Sequence, residues 1–262
     1  MKLFHWDIPY SGEGEHQFTF VFLHGLFGSG KNWLSITKKA SLWGDCYLFD
    51  ARNHGDSPHS DSHNLRDMAG DLVDTMDSLQ IKNPVIFGHS MGGLTAMYSD
   101  LNQSIQPKGL VIEDIAPRGY PFIYDNEVKA FETDVTGYQK REEIDLKIFE
   151  LVPNMFMRQF LMMNLSRDEN NKFFWKLNYK SIQQGRSNLL EEIFPDEPSN
   201  TPSLFLAGVE PDSYVSKEDE TLIKFLYPNS KLIRLEGGGH FVHYTHLDLF
   251  WKEVEKFLNT IQ

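Results

Sequence analysis

The ten residues Val85-Ile86-Phe87-Gly88-His89-Ser90-Met91-Gly92-Gly93-Leu94 constrain this chain more than any other stretch. An apolar, strand-forming run stops at Gly-x-Ser-x-Gly, and the small-residue helical segment Leu94-Thr95-Ala96-Met97 follows directly. Strand, sharp turn and helix in that order put Ser90 at the apex of the turn. Its backbone there is tolerable only if Gly88 and Gly92 keep neighbouring side chains out of the way. A bare Gly-x-Ser-x-Gly arises often by chance, and it is the flanking strand and helix that make Ser90 a candidate nucleophile.

The 262 residues suffice for one α/β domain with an insertion, or for two small domains. Hydrophobic residues make up 40%, as in an ordinary globular protein. With 25 Lys plus Arg against 37 Asp plus Glu, the net charge of -12 argues against a nucleic-acid groove and against attraction to anionic membranes. The single cysteine, Cys46, has no partner for a disulfide and falls in a strand-like run, where it reads as a small core hydrophobe. No apolar window approaches the roughly 18 residues that a membrane span needs, and the N-terminus lacks a long apolar stretch. The expected location is the cytoplasm.

Phe18-Thr19-Phe20-Val21-Phe22-Leu23 is a near-continuous β-prone run, as expected of a strand covered on both faces. The loop after it, His24-Gly25-Leu26-Phe27-Gly28-Ser29-Gly30-Lys31-Asn32, has two readings. Gly25 and Gly30-Lys31 have P-loop spacing, but Asn32 stands where that motif needs a magnesium-binding hydroxyl. The rival reading, which we prefer, makes the backbone N–H of Leu26 a partner of the Met91 N–H in an oxyanion hole.

Tyr47-Leu48-Phe49-Asp50 reads as a second strand, followed by the turn Ala51-Arg52-Asn53-His54-Gly55-Asp56-Ser57. His54, His59 and His63 have no thiolate or ordered carboxylate beside them, so they are expected to be surface loop histidines and not metal ligands. Leu65, Met68, Leu72, Val73, Met76 and Leu79 recur at helical spacing, with Asp67, Asp71, Asp74 and Asp77 expected on the solvated face. Leu110-Val111-Ile112 is the next buried strand and runs into Glu113-Asp114-Ile115-Ala116-Pro117. Alternating strands and helices imply parallel pairing with right-handed crossovers, which puts Ser90 and Asp114 on one rim.

After Pro117 the rhythm breaks. From 118 to 202 the chain reads as helices at Ile144–Leu151, Met155–Met163 and Phe173–Leu177, too long a stretch for a bare loop. This implies a helical cap inserted into an α/β core of residues 1–117 and 203–262. Met155, Phe156 and Phe160 would suit an adaptable apolar pocket wall, the plainer alternative being the insert's own packing face. With His24, Gly25 and Phe27 they are the substrate-facing candidates. Ser203-Leu204-Phe205-Leu206-Ala207-Gly208 resumes the sheet and leads to Asp212-Ser213. A last strand near Leu232 runs into Gly237-Gly238-Gly239-His240. The closing helix is expected to begin near Thr245, with Asp248 completing a capping box.

A serine hydroxyl needs a base to take its proton and an acid to orient that base. His240 is the best base, since it follows the last strand on the rim that carries Ser90. His89 is expected to be a packing residue, because adjacent side chains diverge on a sharp turn. His243 and His246 read as the entry to the last helix and not as a metal site.

The order nucleophile, acid, histidine is that of the α/β-hydrolase superfamily. His24-Gly25-Leu26-Phe27-Gly28-Ser29, Asp50-Ala51-Arg52-Asn53-His54-Gly55-Asp56-Ser57, Gly88-His89-Ser90-Met91-Gly92-Gly93, Asp114-Ile115-Ala116-Pro117 and Gly239-His240 together resemble the small YbfF-like esterases. The resemblance spans residues 24 to 240 and implies an α/β-hydrolase fold, a mostly parallel central sheet flanked by helices with a cap inserted near Asp114. It implies a serine carboxylester hydrolase, acting on short- to medium-chain acyl esters through an acyl-enzyme, with no cofactor and no metal. Most members of the superfamily carry the acid where Asp212 stands, whereas the YbfF-like group has it at Asp-Ile-Ala-Pro, which favours Asp114. That group tends to have a serine at the later site, and this chain departs from it with Asp212-Ser213. The acid not used would then be a hydrogen-bond partner.

Other serine hydrolase chemistry, such as acyl thioester cleavage, and a non-catalytic small-ligand receptor are the alternatives on the same fold. The partner expected is a small acyl ester. The sequence carries no signal of oligomeric state.

Overall fold

The computed structural model describes residues 1–187 and 197–262, so part of the expected cap, residues 188–196, lies outside the described residues. A seven-stranded sheet runs through the molecule in the order β1 (His5–Ile8), β3 (Gly44–Phe49), β2 (Phe18–Leu23), β4 (Val85–His89), β5 (Gly109–Glu113), β8 (Ser203–Gly208), β9 (Ser230–Leu235). Every neighbouring pair is parallel except β1 with β3. This is the mostly parallel α/β sheet that the alternating pattern implies. The antiparallel edge strand β1 has only four residues and no clear alternation, which is why the sequence does not announce it.

The continuous apolar runs are explained by two covered faces. Successive strand residues point to opposite sides, so Val21 and Leu23 join one core with Ile86, Leu110 and Ile112. Phe20 and Phe22 join the other, with Val85, Phe87 and Val111. Helices α2 (Leu65–Ser78) and α3 (Met91–Leu101) cover the first face through Leu72 and Met97. Helices α1 (Leu34–Ala40) and α10 (Leu247–Leu258) cover the second through Ile36, Phe250 and Val254.

Between β5 and β8 the chain forms α4 (Asp125–Phe131), α5 (Arg141–Ile148), α6 (Met155–Met162) and α7 (Tyr179–Gln184). A hairpin of β6 (Leu165–Arg167) and β7 (Phe173–Trp175) interrupts them. Helix was expected at Phe173–Leu177; the aromatic triplet Phe173-Phe174-Trp175 instead pairs as a strand, since Asn171 turns the chain with a left-handed φ of 61°. These elements share an apolar cluster of their own, Val128, Phe131, Ile144, Leu161 and Phe173, into which Phe27 projects from the β2 loop.

Two further α-helices among the described residues are α8 (Asp219–Leu226) and α9 (Val242–Thr245), the latter a separate turn before α10. The expected capping box at Thr245 does not form: Thr245 Oγ1 donates to the Phe241 carbonyl, and Asp248 pairs with Lys39 across the surface.

The aspartates of α2 are also not one solvated face. Asp71 is buried and accepts from the Arg52 guanidinium at 2.6 and 2.8 Å, because the turn after β3 drives Arg52 down against the helix. No helix among the described residues is long and apolar enough to cross a membrane.

Candidate active site

Strands β2, β4, β5, β8 and β9 are parallel, so the loops after their C-terminal ends meet on one edge. Ser90 stands between β4 and α3 with φ 51° and ψ -118°, a strained conformation held by close backbone packing on both sides. A Cβ on Gly88 would lie 2.6 Å from Gly93 Cα, and one on Gly92 would lie 2.3 Å from the Leu23 carbonyl oxygen. Only hydrogen fits at either position.

The loop after β2 lies directly against the serine. A Cβ on Gly25 would sit 3.2 Å from Ser90 Cβ and 2.7 Å from His89 Nδ1. Two buried histidines hold this loop. The Ala51 N–H donates to His24 Nε2 at 2.9 Å, so the His24 proton is on Nδ1, 2.8 Å from the Gly25 carbonyl. The Phe27 N–H donates to His54 Nε2 at 3.2 Å, and His54 Nδ1–H points to the Arg52 carbonyl. Each ring therefore must stay neutral, with one nitrogen accepting. Burial pushes the pKa of both down, that of His54 well below the ordinary histidine value, and neighbouring histidines add to the effect there.

His24 thus has no free nitrogen for a substrate, and Phe27 is buried with the apolar cluster of the insert. The expectation of surface histidines also fails for His54 and His63. Both are fully covered, and burial holds His63 at about 3, because the Arg52 turn folds inward beneath the loop. Among the described residues, neither the Leu26 nor the Met91 N–H donates to an intramolecular acceptor.

His240 follows the glycine-rich turn after β9. Its Nδ1 lies 2.8 Å from Asp114 Oδ2, both groups being buried, so the ring donates through Nδ1 and keeps Nε2 as its basic nitrogen. Asp114, whose φ of 48° turns it out of β5, also accepts from the Tyr214 N–H at 2.9 Å on the same oxygen. Its other oxygen accepts from the Gly208 N–H and the Ser213 hydroxyl at 3.0 and 2.6 Å. Asp212 approaches the same residue from elsewhere: its Oδ2 accepts the His240 backbone N–H at 3.4 Å. The structure brings Asp114 to the ring and Asp212 to the backbone. Ser90 Oγ makes no hydrogen bond among the described residues.

His89 is more than packing. Its Nε2–H donates to the His240 carbonyl at 2.8 Å and the two rings lie 4.6 Å apart, since β4 ends opposite the His240 loop. Burial, then the adjacent His240 and His243, push its pKa well down. Tyr214 is not singled out by the sequence, and Ser213 only as the neighbour of Asp212. Tyr214 packs at a tilt 4.4 Å from the His240 ring, and its hydroxyl pairs with that of Tyr124 at 2.6 Å, tying the insert to the site.

Beside Phe241, a groove of about 390 Å³ is lined by Phe156, Phe160, Met163, Tyr244 and His243. Phe156 and Phe160 stand 5.1 and 5.3 Å from the Phe241 ring, while Met155 is exposed beyond them. No group of three or more His, Cys, Asp or Glu able to hold a metal ion occurs among the described residues.

A sequence model described as the alpha/beta hydrolase family matches residues 20–253. The sn-1-specific diacylglycerol lipase ABHD11 of Mus musculus is 34% identical over 247 residues, covering 91% of this chain and 80% of that protein. Esterase YbfF of Escherichia coli is 30% identical over 246 residues, covering 91% of this chain and 92% of that one. A solved structure described as a marine microorganism esterase superposes with a TM-score of 0.91 at 34% identity, covering 98% of this chain and 99% of the other.

Proposed function

Because this chain belongs to the alpha/beta hydrolase family, we propose that it is a serine carboxylester hydrolase with Ser90 as nucleophile, His240 as base and Asp114 as the acid that orients it. The observation that carries the assignment is the buried His240–Asp114 pair at 2.8 Å on the rim where Ser90 is held in a strained turn. The esterase and lipase names of its relatives support the same class of reaction.

In this reading Ser90 Oγ attacks the acyl carbonyl while His240 Nε2 takes its proton. The amides of Leu26 and Met91 donate to the oxyanion, a role for which their uncommitted N–H groups suit them. His240 then protonates the leaving alcohol, and water enters through the same base to release the acid and regenerate Ser90. Nothing in these steps calls on a cofactor. Residues 118–202 act as a cap, with Phe156, Phe160 and the nearby Met155 offering apolar contacts to a short or medium acyl chain in the groove beside Phe241. Gly25 packs against Ser90, and Phe27 anchors the same loop in the apolar cluster of the insert. A cytoplasmic location belongs to the same proposal and rests on the lone, buried Cys46.

The test is Ser90→Ala assayed on a short-chain p-nitrophenyl ester. We expect kcat to fall by about 10⁴-fold or more with the fold intact. Wild-type turnover by the folded variant would overturn the assignment.

A further inference from the structure

We propose that Glu113 and His243 form a positioning pair that fixes the far end of the His240 loop; this rests on the reading of His240 as the base. Glu113 is the last residue of β5 and Asp114 is the next. Because Asp114 leaves the strand with a left-handed φ, two consecutive carboxylates reach two points of one segment. Asp114 takes the His240 ring, and Glu113 takes His243 three residues later.

The second grip is double. Glu113 Oε1 accepts the His243 backbone N–H at 2.9 Å, and His243 Nδ1 lies 2.8 and 2.7 Å from the two carboxylate oxygens. Glu113 is fully buried and His243 nearly so. The His243 ring lies against Trp33 at 4.7 Å, which fixes its plane, and 5.3 Å from the ring of His89. His89 in turn holds the His240 carbonyl. The segment 240–243 is therefore gripped at its first ring, its first carbonyl and its last residue, all by groups at the ends of β4 and β5.

A buried carboxylate paired with histidine adds little to stability compared with apolar packing, and the rest of β5, Leu110-Val111-Ile112, is apolar. What the pair supplies is a fixed geometry. The segment follows three glycines and has no strand of its own, and an error of about 1 Å at a catalytic base is worth on the order of 10²-fold in rate. Glu113 and His243 act through His240, as positioning residues.

The experiment compares Glu113→Leu and Glu113→Gln with the wild-type chain on a short-chain p-nitrophenyl ester, after circular dichroism has established folding. The low-field proton signal of the His240–Asp114 hydrogen bond is followed in parallel. We expect Glu113→Leu to lower kcat by about 10- to 100-fold with KM within about twofold, and to shift or broaden that signal. Glu113→Gln, which keeps an acceptor for the His243 backbone N–H, should recover part of the loss. A folded Glu113→Leu with wild-type kcat, or with its loss confined to KM, overturns the proposal. If the leucine variant does not fold, Glu113→Gln decides alone: a moderate kcat loss at constant KM with a shifted proton signal supports the pair, and wild-type values refute it. An active Ser90→Ala or His240→Ala chain would instead sink the underlying catalytic reading.

Discussion

The two candidate acids are separated by what each touches, and that difference sets the expected effect of removing either charge. Asp114 accepts four hydrogen bonds, from His240 Nδ1 and the Tyr214 N–H on one oxygen and from the Gly208 N–H and the Ser213 hydroxyl on the other. In Asp114→Asn one oxygen becomes an NH2 group, so a buried backbone N–H must face a donor whichever way the amide turns. With the amide oxygen towards Gly208 and Ser213, the Tyr214 N–H loses its acceptor, and His240 must take the tautomer that is useless as a base. With the oxygen towards His240, the Gly208 N–H is stranded and the imidazolium still loses its compensating charge. Each route leaves one buried donor unpaired, at about 1–3 kcal/mol of stability. The wrong tautomer lowers kcat by about 10⁴-fold, equivalent to about 5 kcal/mol of activation free energy. Asp212→Asn removes a charge whose contact with His240 is a single 3.4 Å bond to the backbone N–H, and should lower kcat less than about tenfold. Steady-state kinetics on a short-chain p-nitrophenyl ester, with urea unfolding of both variants, measures the two effects separately. A larger kcat loss in Asp212→Asn than in Asp114→Asn would refute the reasoning.

Two further perturbations follow from the buried charges and rings. Asp71→Ala removes the two-point acceptor of the buried Arg52 guanidinium, which keeps the Asp67 carboxylate at 3.0 Å, and should destabilise the fold by about 1–3 kcal/mol in urea, while kcat of the folded fraction stays near wild type; an unchanged urea midpoint would contradict the pairing. His24, His54, His63 and His89 all have pKa values lowered in the fold, chiefly by burial. Above the unfolded value of 6.5 they are neutral in both states, so they do not alter stability. As pH falls below 6.5 the unfolded chain takes up protons that the fold excludes, and stability declines towards the lowered folded values. Thermal melts should therefore give a lower Tm at pH of about 5 than at about 7.5, with net proton uptake on unfolding by calorimetry; a higher Tm at the acid end would contradict it.

The sheet was legible because its inner strands are covered on both faces, and Phe18–Leu23, Val85–Phe87 and Leu110–Ile112 accordingly read as near-continuous apolar runs. The turn at Ser90 was legible because the glycines it needs are local. The strand β1 was not, since its four residues gain their place only by pairing with β3, and Phe173–Trp175 became a strand only through its partner Leu165–Arg167. Polar residues were the hardest to read. Nothing in the spacing of Asp67, Asp71, Asp74 and Asp77 distinguishes the two that meet Arg52, Asp67 and Asp71. Likewise Ser213 and Tyr214 reach Asp114 only because β8 lies beside β5.

The histidines show where such information resides. Six of them, His24, His54, His63, His89, His240 and His243, are buried, and sequence position alone does not sort them. Hydrogen-bond partners sort some of them. His24 and His54 each give one nitrogen to a backbone carbonyl and the other to a backbone N–H, so neither can exchange a proton without breaking the loop it holds. His89 spends its Nε2 on the His240 carbonyl, and Gly25 crowds its Nδ1. His240 and His243 differ from these in giving Nδ1 to a carboxylate, which leaves Nε2 as the accepting nitrogen of each ring. Of the two, only His240 follows the glycine turn on the Ser90 rim with Asp212 at its backbone, while His243 is fixed at both its N–H and its ring by Glu113. That contrast in placement, His240 held by Asp114, Asp212 and His89 on the rim that carries Ser90 and His243 held by Glu113 with its ring against Trp33, is the physical basis for proposing proton transfer for the first and positioning for the second.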